Sequence, residues 1–282
     1  MEIRKLTDQT CPIRELWPKE ERNFSPWLAN HLDEIGDITQ TVLKLNSLEE
    51  RVGIFEADIF ATDLLTNKKV VIENQFGKSN HDHLGKCITY MSNLDADIVI
   101  WISETFNEEH IAAIKKLNEN TNKEKRFYAI HVDSYKVGDI GLYQFVVEAQ
   151  PDELPDGDYY DNKNFKTWVR VQSYLPEVLQ KAFEPWTRGY YDFRNCLPKE
   201  LGKVTLSMSV NRKGNHVYLF TYDKDTVAKL DEKLNDNPLG LYKHSGTKNQ
   251  NLTLWSKDHE GNPDPKWLAQ TIENVFSFLY KK

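Results

Sequence analysis

Cysteine is scarce in this chain. Its 282 residues hold only Cys11, Cys87 and Cys196, far apart and never as a CxxC pair. Neither a disulfide framework nor a cysteine zinc centre is indicated, and the thiols read as buried or spare. No apolar run approaches the length needed to span a bilayer, and the N-terminal MEIRKLTDQTC has no signal-peptide hydrophobic core. A cytoplasmic protein with no membrane partner is therefore expected. A P-loop, a dinucleotide fingerprint and GxSxG are missing, and HDHLG at 81–85 is not HExxH. ATP-driven, Rossmann-type, serine-hydrolase and zinc-protease chemistries thus lose their support. An excess of positive charge is missing too: the formal net charge is −7, which argues against a surface that coats nucleic acid.

What is present is a soluble composition, 39% hydrophobic and 28% charged, in a chain long enough for one large domain or two ordinary ones. The charge is uneven. Residues 1–150 hold 17 Lys and Arg against 25 Asp and Glu, whereas 151–282 hold 19 against 18, and within the latter 161–220 has 10 against 5. If charge meets a phosphate backbone anywhere, it is in that last segment. No repeat or low-complexity tract occurs. The clearest interruption is AQPDELPDGDYYDNKN at 149–164, where two prolines, a glycine and a run of acids stop any periodic pattern. The domain boundary is placed there, giving domains at 1–150 and 151–282.

In the first domain, Ser25 reads as an N-cap and Pro26 as the first helical residue, with Trp27, Leu28, His31, Leu32 and Ile35 at helical spacing. Extended stretches follow at 39–45, 52–63 and 68–75, rich in β-branched and aromatic residues. Residues 80–94 read as a helix with Leu84, Ile88 and Met91 on one stripe. DIVIWIS at 97–103 is apolar almost throughout, as a strand covered on both faces would be. A helix at 107–119 and strands near 126–136 and 142–148 complete the domain. The second reads as a helix at 163–182, strands near 203–210 and 215–222, a helix at 224–235, strands near 240–245 and 251–256, and a terminal helix from about 264. The expected fold class is α/β, followed by a second α+β domain.

The third strand, VVIENQ, carries Glu73 and Gln75 where buried apolar residues are expected. LLTN separates it from the preceding strand, so the two form an antiparallel hairpin. With Thr66 and Asn67 as the loop, Asp58 lies opposite Gln75 and Phe60 opposite Glu73, all on one sheet face. Asp58 and Glu73 are then diagonal neighbours, roughly 7–8 Å apart at Cα, close enough to hold one hard cation. The plain reading, polar residues facing water from a one-sided sheet, stands beside it.

The order helix, three strands, helix, strand, with Asp on the second strand and Glu-x-Gln on the third, resembles the PD-(D/E)XK nuclease superfamily. More closely, GIFEADIFATD, VVIENQFGKSNHDHLGKCITY and NEEHIAAIKKLNE are similar to uncharacterised bacterial proteins with that core and a C-terminal α/β domain of unknown function. The likeness covers roughly residues 12–120; beyond them it lies in the general pattern and in pieces such as PWTRGYYDF. It implies a restriction-endonuclease-like mixed-sheet core flanked by helices. It also implies a divalent cation, Mg²⁺ or Mn²⁺, on Asp58 and Glu73 with a backbone carbonyl near position 74, and hydrolysis of phosphodiester bonds. Nucleic acid is the implied partner, DNA ahead of RNA, in defence or repair. A homodimer suits an enzyme that cuts both strands, and no stretch marks its face. The alternative is a nuclease-like scaffold that binds nucleic acid or a partner protein without cutting.

Gln75 stands where the superfamily has a lysine, and the similar proteins share this glutamine. An amide orients water but supplies no charge. Lys78 and Lys86 are the candidate substitutes, with an Asp82–Lys86 surface pair as the simpler account of the latter. Glu20, on the helix expected beside the site, and Glu50, ahead of the second strand, are candidate additional ligands. His81 and His83, two apart, do not face one way on a helix, which disfavours a two-histidine metal site. One of them contacts phosphate, or they cap and pack the helix start. Arg188 and Arg194 among tyrosines either bind nucleic acid or belong to a plugged loop. Arg212 and Lys213 sit at an expected hairpin tip.

Overall fold

The structure, a computed structural model, describes all residues except 1–4, 54, 153–162, 186–189, 194–195, 212–213, 236–237, 246–251, 261–263 and 281–282, with backbone alone at 52, 163–165, 183–185, 190–192, 211 and 245. The chain divides into two units, Met1–Asp156 and Gly157–Lys282. Among the described residues no helix is long and apolar enough to cross a membrane.

In the first unit a π-helical turn, Glu20–Phe24, leads into helices α1 (Ser25–Ala29) and α2 (Leu32–Thr39). Strands β1 (Leu43–Val52), β2 (Phe55–Asp63) and β3 (Lys68–Lys78) follow, then α3 (His81–Asn93), β4 (Ile98–Thr105), α4 (Glu108–Asn120), β5 (Arg126–Val137) and β6 (Ile140–Ala149). The six strands lie in chain order in one mixed sheet. β3, β4 and β5 run parallel, which requires crossovers that α3 and α4 supply, while the remaining neighbours are antiparallel.

The alternation of apolar residues builds three layers. Ile98, Ile100 and Ile102 face one way, with Ile59, Ile72 and Tyr128, against Leu28, Leu32 and Ile35 of α1 and α2. Val99 and Trp101 face the other way, with Val71 and Phe127, against Cys87, Tyr90 and Ile114 of α3 and α4. Each such side chain contributes about 1.5–3 kcal/mol by leaving water. Both faces of β4 are buried, which is why DIVIWIS lacks polar alternation. On α3 the buried stripe runs through Cys87 and Tyr90, and Ile88, expected in it, is 39% exposed.

The helix expected from Ser25 through Ile35 is interrupted. Asn30 Nδ2 donates to the Pro26 carbonyl at 2.8 Å, His31 Nδ1 lies 2.7 Å from the Trp27 carbonyl, and His31 leaves the helical region. Their side chains take the carbonyls that a continuing helix would use. Ser25 is not the N-cap: it lies inside α1, buried, and its Oγ accepts from Asn74 Nδ2 at 2.8 Å. β1 starts at Leu43, because Thr39 closes α2 and Gln40 turns the chain in the left-handed region.

The second unit contains α5 (Lys163–Tyr174), α6 (Glu177–Ala182), β7 (Phe183–Pro185), β8 (Tyr190–Phe193), β9 (Thr205–Asn211), β10 (Gly214–Thr221), α7 (Lys224–Lys233), β11 (Tyr242–Ser245), β12 (Thr253–His259) and α8 (Pro265–Tyr280). Its antiparallel sheet has the order β11-β12-β10-β9-β8-β7. Val171, Leu179, Ile272 and Val275 from the helices pack on Leu206, Met208, Leu219 and Trp255 of the strands. The single helix expected at 163–182 is two, separated at Pro176, whose missing N–H ends the ladder. β8, of four residues, falls in the aromatic stretch 185–195 for which a plugged loop is one of two readings, and β7, of three, ends where that stretch begins. The protein is thus mixed α/β, with a second sheet-and-helix unit.

Candidate active site

Four residues, Leu64–Asn67, join β2 to β3, and Asn67 takes the left-handed conformation at φ 58°. Asp63 pairs with Lys68, and Ile59 with Ile72. The Asp63 carboxylate fixes this turn, accepting from Val42 N at 2.9 Å and Thr66 Oγ at 2.6 Å. The loop is two residues longer than the one expected from Thr66–Asn67. Continued one step past Ile59 and Ile72, the register sets Asp58 directly opposite Glu73, not diagonal to it. A shift of two preserves the face, so Asp58, Glu73 and Gln75 still share a side of the sheet.

Pairing of β3 with β2 stops at Ile72, and carboxylates then take over the backbone of β3. Asn74 N donates to Asp58 Oδ2 at 2.7 Å, Phe76 N donates to Glu20 Oε2, and Gly77 N donates to Glu104 Oε2 at 2.8 Å. Glu20 is held beside the strand from the π-helical turn, where the sequence placed it on a helix. Gly77, at φ 85°, forms an irregularity in the β3–β4 register between Gln75 and Lys78.

Glu73 is fully buried. Its Oε1 accepts from Lys86 Nζ at 2.7 Å and lies 3.8 Å from His83 Nε2, whereas its Oε2 is buried with no partner among the described residues. Lys86 therefore pairs with the strand carboxylate, and the simpler Asp82–Lys86 account does not describe it. Burial pushes the Asp58 carboxyl up to about 7, with the Asn74 N–H pulling the other way and Glu20 reinforcing the rise. Burial and the charge of Asp58 push Glu73 up to about 8 against the pull of Lys86. Burial also raises Glu20. Burial works against the Lys86 ammonium, yet the pull of Glu73, Asp58 and Glu20 outweighs it and holds Lys86 above its ordinary value. Burial and Lys86 push His83 down to about 4, so its imidazole is neutral near pH 7.

No family model, curated protein or solved structure matches this chain. What the site can do rests on its own atoms. Among the described residues no three of His, Cys, Asp or Glu are gathered as a metal-ligand set. The oxygens at hand are those of Asp58 and Glu73, with Glu20 acting on both through its charge. Mg²⁺ is commonly held by one or two carboxylates, several waters and substrate phosphate, and the unpartnered Glu73 Oε2 is a hard oxygen of the right kind. The residues fit such an ion. Glu50 does not join them: on β1 it pairs across from Ala57 of β2 and accepts from Ser47 Oγ.

Gln75 is 5% exposed, and its Nε2 donates to the Lys78 carbonyl at 2.7 Å. The Lys78 side chain is exposed. The cap of α3 is Asn80, whose Oδ1 accepts from His83 N at 3.0 Å, so neither histidine caps the helix. The two histidines diverge as their spacing requires. His83 turns to Glu73, and His81 Nδ1 lies 3.1 Å from His110 Nε2.

His110 was not anticipated. It is buried on α4, with Nδ1 2.7 Å from Ser79 Oγ, and its spacing to Ile114 and Leu117 on the apolar face was the signal available. Glu104, which clasps Gly77 and also accepts from Ile13 N at 3.2 Å, was likewise missed. Trp101 is core, as expected, and also pairs in register with Glu73, its indole N–H buried without a partner among the described residues. A cleft of about 490 Å³ is lined by Trp17, Trp27, Lys136 and Tyr143, and none of the site carboxylates lines it. Arg188, Arg194, Arg212 and Lys213 lie outside the described residues.

Proposed function

We propose that the N-terminal unit is a divalent-metal-dependent nuclease of the PD-(D/E)XK, restriction-endonuclease-like kind, hydrolysing phosphodiester bonds in nucleic acid, DNA ahead of RNA. One observation carries the reading: the half-buried Asp58 on β2, accepting from Asn74 N, adjoins the buried Glu73 on β3, with the Lys86 ammonium on Glu73. The strand order and the two crossover helices around that pair support the same fold assignment.

When bound, Mg²⁺ or Mn²⁺ would polarise the scissile phosphate and acidify a coordinated water. Asp58 and Glu73 would hold the ion, with Glu20 adding negative charge next to them. Lys86 supplies the positive charge that Gln75 cannot, reaching the strand carboxylate from α3 where the superfamily lysine would stand two residues after the glutamate. Lys78 and His81, exposed at the end of β3 and the start of α3, would contact flanking phosphates. Selection of the substrate falls to the C-terminal unit, in a cytoplasmic protein of defence or repair.

A second reading, binding without cleavage, is favoured by the absence of a third acidic ligand among the described residues. Incubation with supercoiled plasmid, linear duplex, single-stranded DNA and RNA, each with Mg²⁺, Mn²⁺ or EDTA, separates the two. The proposed activity cuts at least one DNA form only when the metal is present. Retarded migration of DNA without cutting under every condition supports the binding reading.

A further inference from the structure

Gln75 departs from the lysine of the superfamily, and its surroundings give it a different task. Its amide orientation is set by the chain around it. Nε2 donates to the Lys78 carbonyl at 2.7 Å; the reversed amide would put two oxygens face to face. The Lys78 carbonyl is brought back towards Gln75 by the irregularity at Gly77, which is itself clasped through its N–H by Glu104 Oε2 and through its carbonyl by Ser103 Oγ at 3.1 Å. Oε1 is therefore the other end of an oriented amide, and it is buried with no partner among the described residues. Glu73 Oε2, two residues earlier on the same face of β3, is buried and unpartnered as well. Burying such an acceptor with nothing opposite costs about 1–3 kcal/mol, and two of them on one face of β3 suit a group that accepts electron pairs from oxygen.

We propose that Gln75 is a metal ligand: its amide oxygen is the third protein oxygen of the cation site, alongside the carboxylates of Asp58 and Glu73. The inference rests on the metal-dependent reading above. It accounts for the lack of a third acid, because the third oxygen is neutral. A neutral ligand also lets the site keep two negative charges to a divalent ion, while Lys86 remains the cation that serves the reaction. Hard ions such as Mg²⁺ and Mn²⁺ accept amide oxygens readily.

The test is titration of Mn²⁺ into the full chain without nucleic acid, followed by the electron paramagnetic resonance signal of free Mn²⁺, for the wild type and for Gln75→Met, Gln75→Glu and Gln75→Lys. Gln75→Met should weaken Mn²⁺ binding about tenfold or more, the scale on which ligand-supporting groups affect metal affinity. Gln75→Lys should weaken it further, by placing a cation where the ion sits. Gln75→Glu should tighten binding, a result no misfolded variant produces. If wild type and Gln75→Met bind Mn²⁺ equally, Gln75 is not a ligand and the reading of Asp58 and Glu73 survives. If Gln75→Lys retains Mn²⁺ and cleaves faster, the residue is a lysine substitute and the assignment fails. If the wild type binds no Mn²⁺ at all, the metal-dependent reading falls with it.

Discussion

Lys86 Nζ lies 2.7 Å from Glu73 Oε1, tying helix α3 to a carboxylate with no exposed surface. Lys86→Ala leaves that carboxylate without its cation. The expected loss is on the order of 2–3 kcal/mol by urea denaturation at pH 9, above the value of about 8 at which Glu73 ionises, the range for a hydrogen bond to a buried charge. The double variant Lys86→Ala/Glu73→Gln should lose less than the sum of the single variants, because the neutral amide no longer needs the ammonium. Strict additivity would mean that the pair contributes nothing as a pair.

Stability should fall as pH rises through neutrality when divalent metal is chelated. Asp58 and Glu73 ionise at about 7 and about 8 in the folded protein, but near 4 in the unfolded chain. Between those limits the folded state holds more protons, so their contribution is full below about pH 4 and is lost as pH climbs to the folded values. His83, depressed to about 4, acts in the opposite direction below about 6.5. The clean window is therefore pH 6.5 to 8.5. There the urea midpoint of wild type in EDTA should drop more steeply than that of Glu73→Gln, and equal slopes would contradict the assignment.

Gly77→Ala should cost about 1–3 kcal/mol, because position 77 is left-handed with φ 85° and a side chain is strained there. Nothing lies within 4 Å of an added Cβ, so the penalty is conformational and not steric crowding. The same change should weaken Mn²⁺ binding, since the carbonyl that orients Gln75 is reached through this glycine. Loss of stability with unaltered Mn²⁺ affinity would separate the bend from the site.

His81 and His110 are joined at 3.1 Å, yet their substitutions should read differently. His110→Ala removes a buried ring bonded to Ser79 and should cost about 2–3 kcal/mol. His81→Ala removes an exposed one and should stay within about 0.5 kcal/mol. If His81 contacts phosphate, its variant weakens binding of duplex DNA at unchanged stability; DNA binding equal to wild type leaves His81 a packing residue only.

Much of the first unit was legible because its signals are local. VVIENQ, DIVIWIS and the stripe of Leu84, Ile88 and Met91 announced strand, strand and helix, though the buried face turns out to run through Cys87 and Tyr90, and the acids on adjacent strands announced the candidate site. What escaped depends on distance or on degeneracy. A two-residue slip in the β2–β3 register changes no face, so alternation could not distinguish Asp58 opposite Gln75 from Asp58 opposite Glu73, and only the four-residue turn clasped by Asp63 decides it. The break after Ala29 comes from Asn30 and His31 bonding back to Pro26 and Trp27. Glu104 sits far along the chain from the Gly77 N–H it accepts, and no spacing rule reaches that far. Pro176 stands in plain sight, yet helix-forming residues flank it on both sides, so composition alone favours one helix where the structure has two.

The central claim is that Asp58 and Glu73 together support metal-dependent cleavage. It is tested most directly by incubating supercoiled plasmid with wild type, Asp58→Ala and Glu73→Ala in Mn²⁺ and in EDTA. Nicking or linearisation by wild type in Mn²⁺ alone, lost in both variants while their circular dichroism matches wild type, is the predicted result. A plasmid left intact by wild type in Mn²⁺, or cut equally well by either folded variant, would contradict it.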